Sequence, residues 1–140
     1  MRYTIKVGGP TLNTKRIITT YKDLVVYQVS FLAAKQIFVV SKRFPKEETY
    51  SLTDQLRRST RSIPVNIAEG WAKRKYKNVF IRHLNDANGS CEETKVWLDF
   101  ARDCLYIAEE EHKSFLDQYN KIGAMLFSLM KRWQNFDKRD

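Results

Sequence analysis

The chain has 140 residues, 43% hydrophobic and 29% charged, with a formal net charge of +9 from 25 Lys and Arg against 16 Asp and Glu. Those proportions fit one folded domain and exclude a disordered chain, while five Gly and three Pro are too few for a many-turned β fold and favour long helices. No run of 18 apolar residues exists, and the opening "MRYTIKVGGP" lacks the apolar core of a secretory leader, so no transmembrane helix and a cytoplasmic location are expected.

Within residues 1–20, "RYTIKV" alternates like a strand, but one strand alone is not stable. Residues 1–20 are therefore read as a basic N-terminal extension, either a mobile arm or an added edge, and residues 21–140 as one domain. A first helix is expected over 23–43, with Asp23 as N-cap and an apolar seam of Leu24, Tyr27, Phe31, Ala34 and Phe38. It must end before Pro45, which pushes Phe44 out of the helical region.

A second helix is expected over 52–73, capped by Thr53 or Ser51, with its seam on Leu52, Leu56, Ser59, Ile63 and then Asn66 or Ile67. Pro64 interrupts it, removing one backbone hydrogen bond at a cost of about 3 kcal/mol in a free helix. The apolar register carries through the proline from Leu56 to Ile67, which favours one kinked helix over a stop at Ser62. Asn66 is placed to satisfy a freed carbonyl.

The third helix, 77–108, has the clearest seam: Phe80, Leu84, Ala87, Cys91, Thr94, Leu98, Ala101 and Leu105, alternating steps of four and three. The fourth, 111–135, repeats it with Phe115, Tyr119, Ile122, Leu126, Leu129, Trp133 and Phe136, and Glu109, Glu110 and Glu111 suit its first turn. Cys91 and Cys104 lie on one helix about 20 Å apart, beyond disulfide reach, and read as reduced packing residues. Four such helices with short connections predict an all-α, antiparallel up-down four-helix bundle.

Several stretches carry a resemblance: "YKDLVVYQ" (21–28), "FPKEETYSLTDQLRRSTRSIPVNIAEG" (44–70) and "FIRHLNDANGSCEET" (80–94). They resemble the four-helix-bundle proteins encoded in 23S rRNA intervening sequences. The matching positions are Asp23 and Leu24; Phe44, Pro45 and Glu48; Gln55 and Arg58; Ser62 through Gly70; and Gly89, Ser90 and Glu93. The resemblance covers roughly residues 21–136. Ser51 departs from it where Gly is expected, and the N-terminal extension is not part of the pattern. It implies a ring-like homopentamer without enzymatic activity. The accessory protein of diversity-generating retroelements, which works with a reverse transcriptase and binds nucleic acid, is similar at the level of fold only.

Extra apolar residues support assembly independently. Val25, Val26, Val29, Leu32, Ile37, Val39 and Val40 lie off the expected seam of the first helix, and Val96, Trp97, Phe100 and Cys104 make a second stripe on the third. Val25, Val29, Leu32, Val96 and Phe100 are the expected oligomer contacts.

The positive charge is localised. Residues 1–22 hold five cations and no acid, and residues 57–77 hold Arg57, Arg58, Arg61, Lys73, Arg74, Lys75 and Lys77 against Glu69 alone. These seven form a candidate nucleic-acid surface, with the interleaved Trp71 and Tyr76 able to stack on bases. The other reading of the same residues is a solvated face with ion pairs on a scaffold that binds a protein. Catalysis is not expected. His83 and His112 are the two histidines, and there is no His-x-x-x-His or Cys-x-x-Cys spacing for a metal, no phosphate-binding Gly loop and no cofactor signature.

Overall fold

The structure, a computed structural model, describes residues 3–7 and 14–136. Arg2 and residues 137–140 lie outside the described residues, as does the Phe136 side chain that was expected to end the fourth seam. The elements are strands β1 (Tyr3–Val7) and β2 (Thr14–Ile18), then helices α1 (Val25–Ser41), α2 (Leu52–Ala72), α3 (Lys77–Asp103) and α4 (Glu109–Phe136). Short 3-10 turns at Tyr21–Asp23 and Lys46–Glu48 precede α1 and α2.

The strand expected alone at the N-terminus has a partner. β1 and β2 pair antiparallel in a two-stranded ladder from Tyr3↔Ile18 to Val7↔Thr14. "TKRII" escaped notice because it lacks apolar-polar alternation. The ladder is tied to the bundle through Ile18, which is fully buried in the core.

Four helices form the bundle. α1 packs on α2, α2 on α3 and α3 on α4, and α4 closes on α1. Successive helices run in opposite directions: Arg57 near the start of α2 reaches Ser41 at the end of α1, while Lys77 at the start of α3 reaches Gln134 near the end of α4.

The seams of α2, α3 and α4 lie in the core as expected, with two exceptions. Asn66 is only half-buried, and Ile67 holds its place in the core. Leu105 is 88% exposed rather than buried, because α3 ends five residues early. At that end the Tyr106 N–H donates to the Ala101 carbonyl (2.8 Å) and the Leu105 N–H to that of Arg102 (2.9 Å). This is a Schellman closure, and it holds Leu105 at φ 64°, a conformation that favours glycine.

Helix α1 is rotated from its expected register. Leu24 and Ala34 of the expected seam are buried, but the inner face of the helix is made by Val26, Ser30, Ala33, Ile37 and Ser41, while Tyr27 packs at the edge of the core and Phe31 and Phe38 sit on the outer side. A helix apolar nearly all round offers several equivalent stripes, and the small residues Ser30 and Ala33 take the inner one because they admit close approach. Val26 and Ile37 are thus core residues.

The caps also differ. Asp23 does not cap α1; its carboxylate accepts from the Thr19 and Thr20 N–H groups (3.0 Å each) and closes a capping box with Thr20 around the first 3-10 turn. Neither Ser51 nor Thr53 caps α2 with its hydroxyl. The Glu48 carboxylate accepts from the Ser51 hydroxyl, the Tyr106 hydroxyl (3.0 Å) and, more loosely, the Leu52 N–H (3.4 Å). Those hydrogen bonds hold its pKa below the usual value, Ser51 contributing most.

Candidate nucleic-acid interface

The stretch Ser62–Gly70 builds the scaffold for the candidate surface. α2 continues through Pro64 without stopping at Ser62. Its neighbour Asn66 donates to the Ser62 carbonyl (3.0 Å) and hydroxyl (3.2 Å), not to the Thr60 carbonyl that Pro64 leaves without its helical N–H, so the amide does not take the role expected of it. The Asn66 carbonyl oxygen then faces His83 Nδ1 on α3 at 3.1 Å. Since that oxygen only accepts, Nδ1 carries the proton.

Two more polar pairs bridge α2 and α3: Ser62 with Ser90 (2.7 Å) and Ser59 with Thr94 (2.9 Å). Gly70 completes the contact. A Cβ there would lie 2.8 Å from His83 Cβ and 3.0 Å from Phe80 Cδ1. The stretch is therefore a helix-packing element, and it fixes where the following turn emerges.

That turn, residues 73–76, carries the basic tract. Lys73 and Lys75 are exposed. Arg74 folds back, its guanidinium 4.3 Å from the Trp71 ring centre and donating to the Trp71 carbonyl (2.9 Å). Lys77 donates to the Gln134 carbonyl (2.8 Å). Tyr76 is 62% exposed and available for stacking. Trp71 is not: at 3% exposure it packs edge-on against Phe80 and Trp133, because its position after Ile67 continues the inner stripe of α2.

The three arginines of α2 separate. Arg57 turns onto α1, where its Nε donates to the Ser41 hydroxyl (2.7 Å) and its guanidinium stacks 4.5 Å from the Phe38 ring centre. It does not point away to solvent, since the rotated α1 puts Phe38 within its reach. Arg61 lies 5.3 Å from the same ring and stays exposed. Arg58 is exposed and pairs weakly with Asp54 at 3.8 Å.

Sequence reasoning missed the cations that other helices bring to the same end. Lys22 precedes α1, while Lys131 and Arg132 lie in the last turns of α4, and all three are exposed. Alternating helix directions place them with the α2–α3 turn. The opposite end carries Glu47, Glu48, Asp99, Asp103 and Glu109 to Glu111 beside Lys42, Arg43, Lys46 and Arg102. The bundle thus has one basic end and one of mixed charge.

A groove of about 610 Å³ runs along the outer side between α1 and α2, lined by Tyr21, Tyr27, Phe31, Phe38, Pro64 and Val65, with Lys35, Arg61 and Glu69 among its polar members. The expected oligomer contacts lie on the outer faces: Leu32, Val96 and Phe100 are exposed, and Val25 and Val29 are half-buried.

His112 is buried, with Nε2 donating to Asp99 Oδ1 (2.7 Å). Burial pushes the Cys91 thiol up to about 12, while Cys104 is exposed. Among the described residues, no group of three or more His, Cys, Asp and Glu is placed to hold a metal ion, and no helix is long and apolar enough to cross a membrane.

No curated protein matches the chain. A solved structure, a protein of unknown function from the S23 ribosomal protein family of Bacteroides thetaiotaomicron VPI-5482, is similar at 31% identity and a TM-score of 0.70. The similarity covers 79% of this chain and 98% of that one. The model of the 23S rRNA-intervening sequence protein family matches residues 22–128, which take in all of α1, α2 and α3 and most of α4. With that match over most of its length, and with the helix-packing stretch Ser62–Gly70 inside it, the chain belongs to the 23S rRNA-intervening sequence protein family.

Proposed function

We propose that the protein is a non-enzymatic, cytoplasmic helical bundle that assembles into a ring-like homopentamer and binds nucleic-acid backbone through its basic end. The observation that carries this reading is the convergence of exposed Lys73, Lys75 and Tyr76 with Lys22 from the turn before α1 and Lys131 and Arg132 from α4. Cations neutralise phosphates and release counterions, and an exposed ring stacks on an unpaired base. Arg58 and Arg61 extend the surface along α2, whereas Arg57, Arg74 and Lys77 serve it chiefly by bracing the scaffold. Repetition around a ring raises affinity through avidity without a new contact.

The test is retardation of short RNA and DNA across a salt series. Log affinity should fall against log salt with a slope of about 0.9 per duplex phosphate, or about 0.7 for single strands. Lys73→Ala with Lys75→Ala should flatten that slope and leave the helical signal unchanged. No retardation at low salt would overturn the reading. A scaffold that binds a protein partner then takes its place, and the aromatic groove between α1 and α2 is the feature that favours it. Light scattering of the purified protein tests the pentamer, and Phe100→Glu should lower the mass by placing a carboxylate in an apolar contact.

A further inference from the structure

We infer that each copy seats the outer face of its α3 over the groove between α1 and α2 of the next copy, an inference that rests on the homopentamer proposed above. The groove has apolar walls, among them Phe31, Phe38 and Val65, that one chain alone leaves partly exposed. Its exposed charged members are Lys35, Arg61 and Glu69. On α3, a second stripe runs on the side away from the core. Arg82, Asp86, Glu93, Val96 and Phe100 recur at intervals of 4, 7, 3 and 4, and all five are exposed. Each stands two residues after a member of the inner seam, about half a turn round the helix.

The two surfaces match in the order of their charges along the bundle. Contacts between α2 and α3 fix the levels: Ser59 meets Thr94 (2.9 Å), Ser62 meets Ser90 (2.7 Å), and Gly70 lies against His83. Arg61 therefore stands near the level of Glu93, and Glu69 near that of Arg82. Lys35 is one turn before Phe38, whose ring lies 5.3 Å from the Arg61 guanidinium, and so falls between Asp86 and Glu93. A copy rotated about an axis parallel to the bundle keeps these levels. Two groove cations then meet two α3 acids, and the groove acid meets an α3 cation. Turning the neighbour end for end would set Glu69 against Glu93, so the pattern specifies direction as well as position. Val96 falls near the level of exposed Val39 and adds an apolar contact there. Groove and stripe are unlike patches, so the contact is heterologous and closes into a ring when the rotation allows. Arg61 then pairs with the neighbour, which leaves Arg58 to extend the basic surface along α2.

The experiment is light scattering of the full chain over a concentration series, with charge reversals at Glu69 and Arg82. Both side chains are exposed, so the helical signal of each variant should match the parent. Glu69→Arg alone and Arg82→Glu alone each put like charges across the contact. Each should raise the concentration of half-assembly at least about tenfold. The double variant, Glu69→Arg with Arg82→Glu, restores opposite charges and should assemble as the parent does. If the parent is oligomeric and the single reversals leave its assembly unchanged, the contact assigned here falls while the ring stands on other surfaces. If both single reversals weaken assembly and the double variant does not recover it, the pairing of Glu69 with Arg82 is wrong and the inference falls as well. If the parent is a monomer at every concentration, the homopentamer fails and this inference with it.

Discussion

Along α2, one nine-residue stretch faces two unlike surroundings. Ser62, Ile63, Asn66, Ile67 and Gly70 turn to α3 and the core, where hydroxyl and amide pairs bridge the helices and no space is left for a Cβ at Gly70. Pro64, Val65, Ala68 and Glu69 line the groove beside the outer side of α1, where aromatic rings remain partly exposed. The α3 side determines how closely two helices approach. The α1 side leaves apolar surface for another molecule. A motif this specific therefore says more about the spacing of α2 and α3 than about a reaction.

Substitutions can break that contrast. Gly70→Val should have the largest effect, a loss of about 3 kcal/mol at the upper end of overpacking, seen as a lower urea midpoint. The obstructing atom is His83 Cβ, which moves only with its backbone. Asn66→Ala should come next, at about 2 kcal/mol, because it strips a partner from buried His83. An unchanged midpoint would mean that the α2–α3 contact does not depend on this amide. Gly89→Ala should instead stabilise by about 1 kcal/mol, since nothing lies within 4 Å of the added methyl and helix propensity improves. Opposite signs at two helical glycines would separate a close approach from an open face.

On the groove side, Phe31→Ser should shift the unfolding free energy by no more than about 0.5 kcal/mol, because the ring is 48% exposed. Its effect should appear in the particle mass from light scattering. The smallest effect concerns acid. Glu48 has a depressed folded pKa, so its contribution is present above its unfolded value and is lost as pH falls through the folded one. Between about pH 6 and pH 3 the parent should lose stability more steeply than Glu48→Gln.

The candidate site was legible in part. The cations of the α2–α3 turn stood out as a run, and Lys73 and Lys75 are exposed as that run suggested. Lys131 and Arg132 were invisible as members of the same surface, since only opposed helix directions bring the end of α4 beside residue 77. The inward turn of Arg57 and the burial of Trp71 depend on which ring and which helix stand next to them. Leu105 shows a further limit. Its heptad position agrees with its seven predecessors, yet a closure geometry two residues past the end of α3 removes it from the core.

The sequence alone determined the helical class, the number of helices, most of their ends and three of the four inward faces. Each of these follows from local periodicity and from breakers such as Pro45, which act over a turn or two of chain. The tertiary structure decided the rotation of α1, the pairing of β1 with β2, the separate fates of the three arginines and the assembly of the basic end. α1 is apolar nearly all round, so its own residues do not select a stripe. The choice rests with the small residues that let α1 approach its neighbours closely, and that fit exists only once all four helices are together.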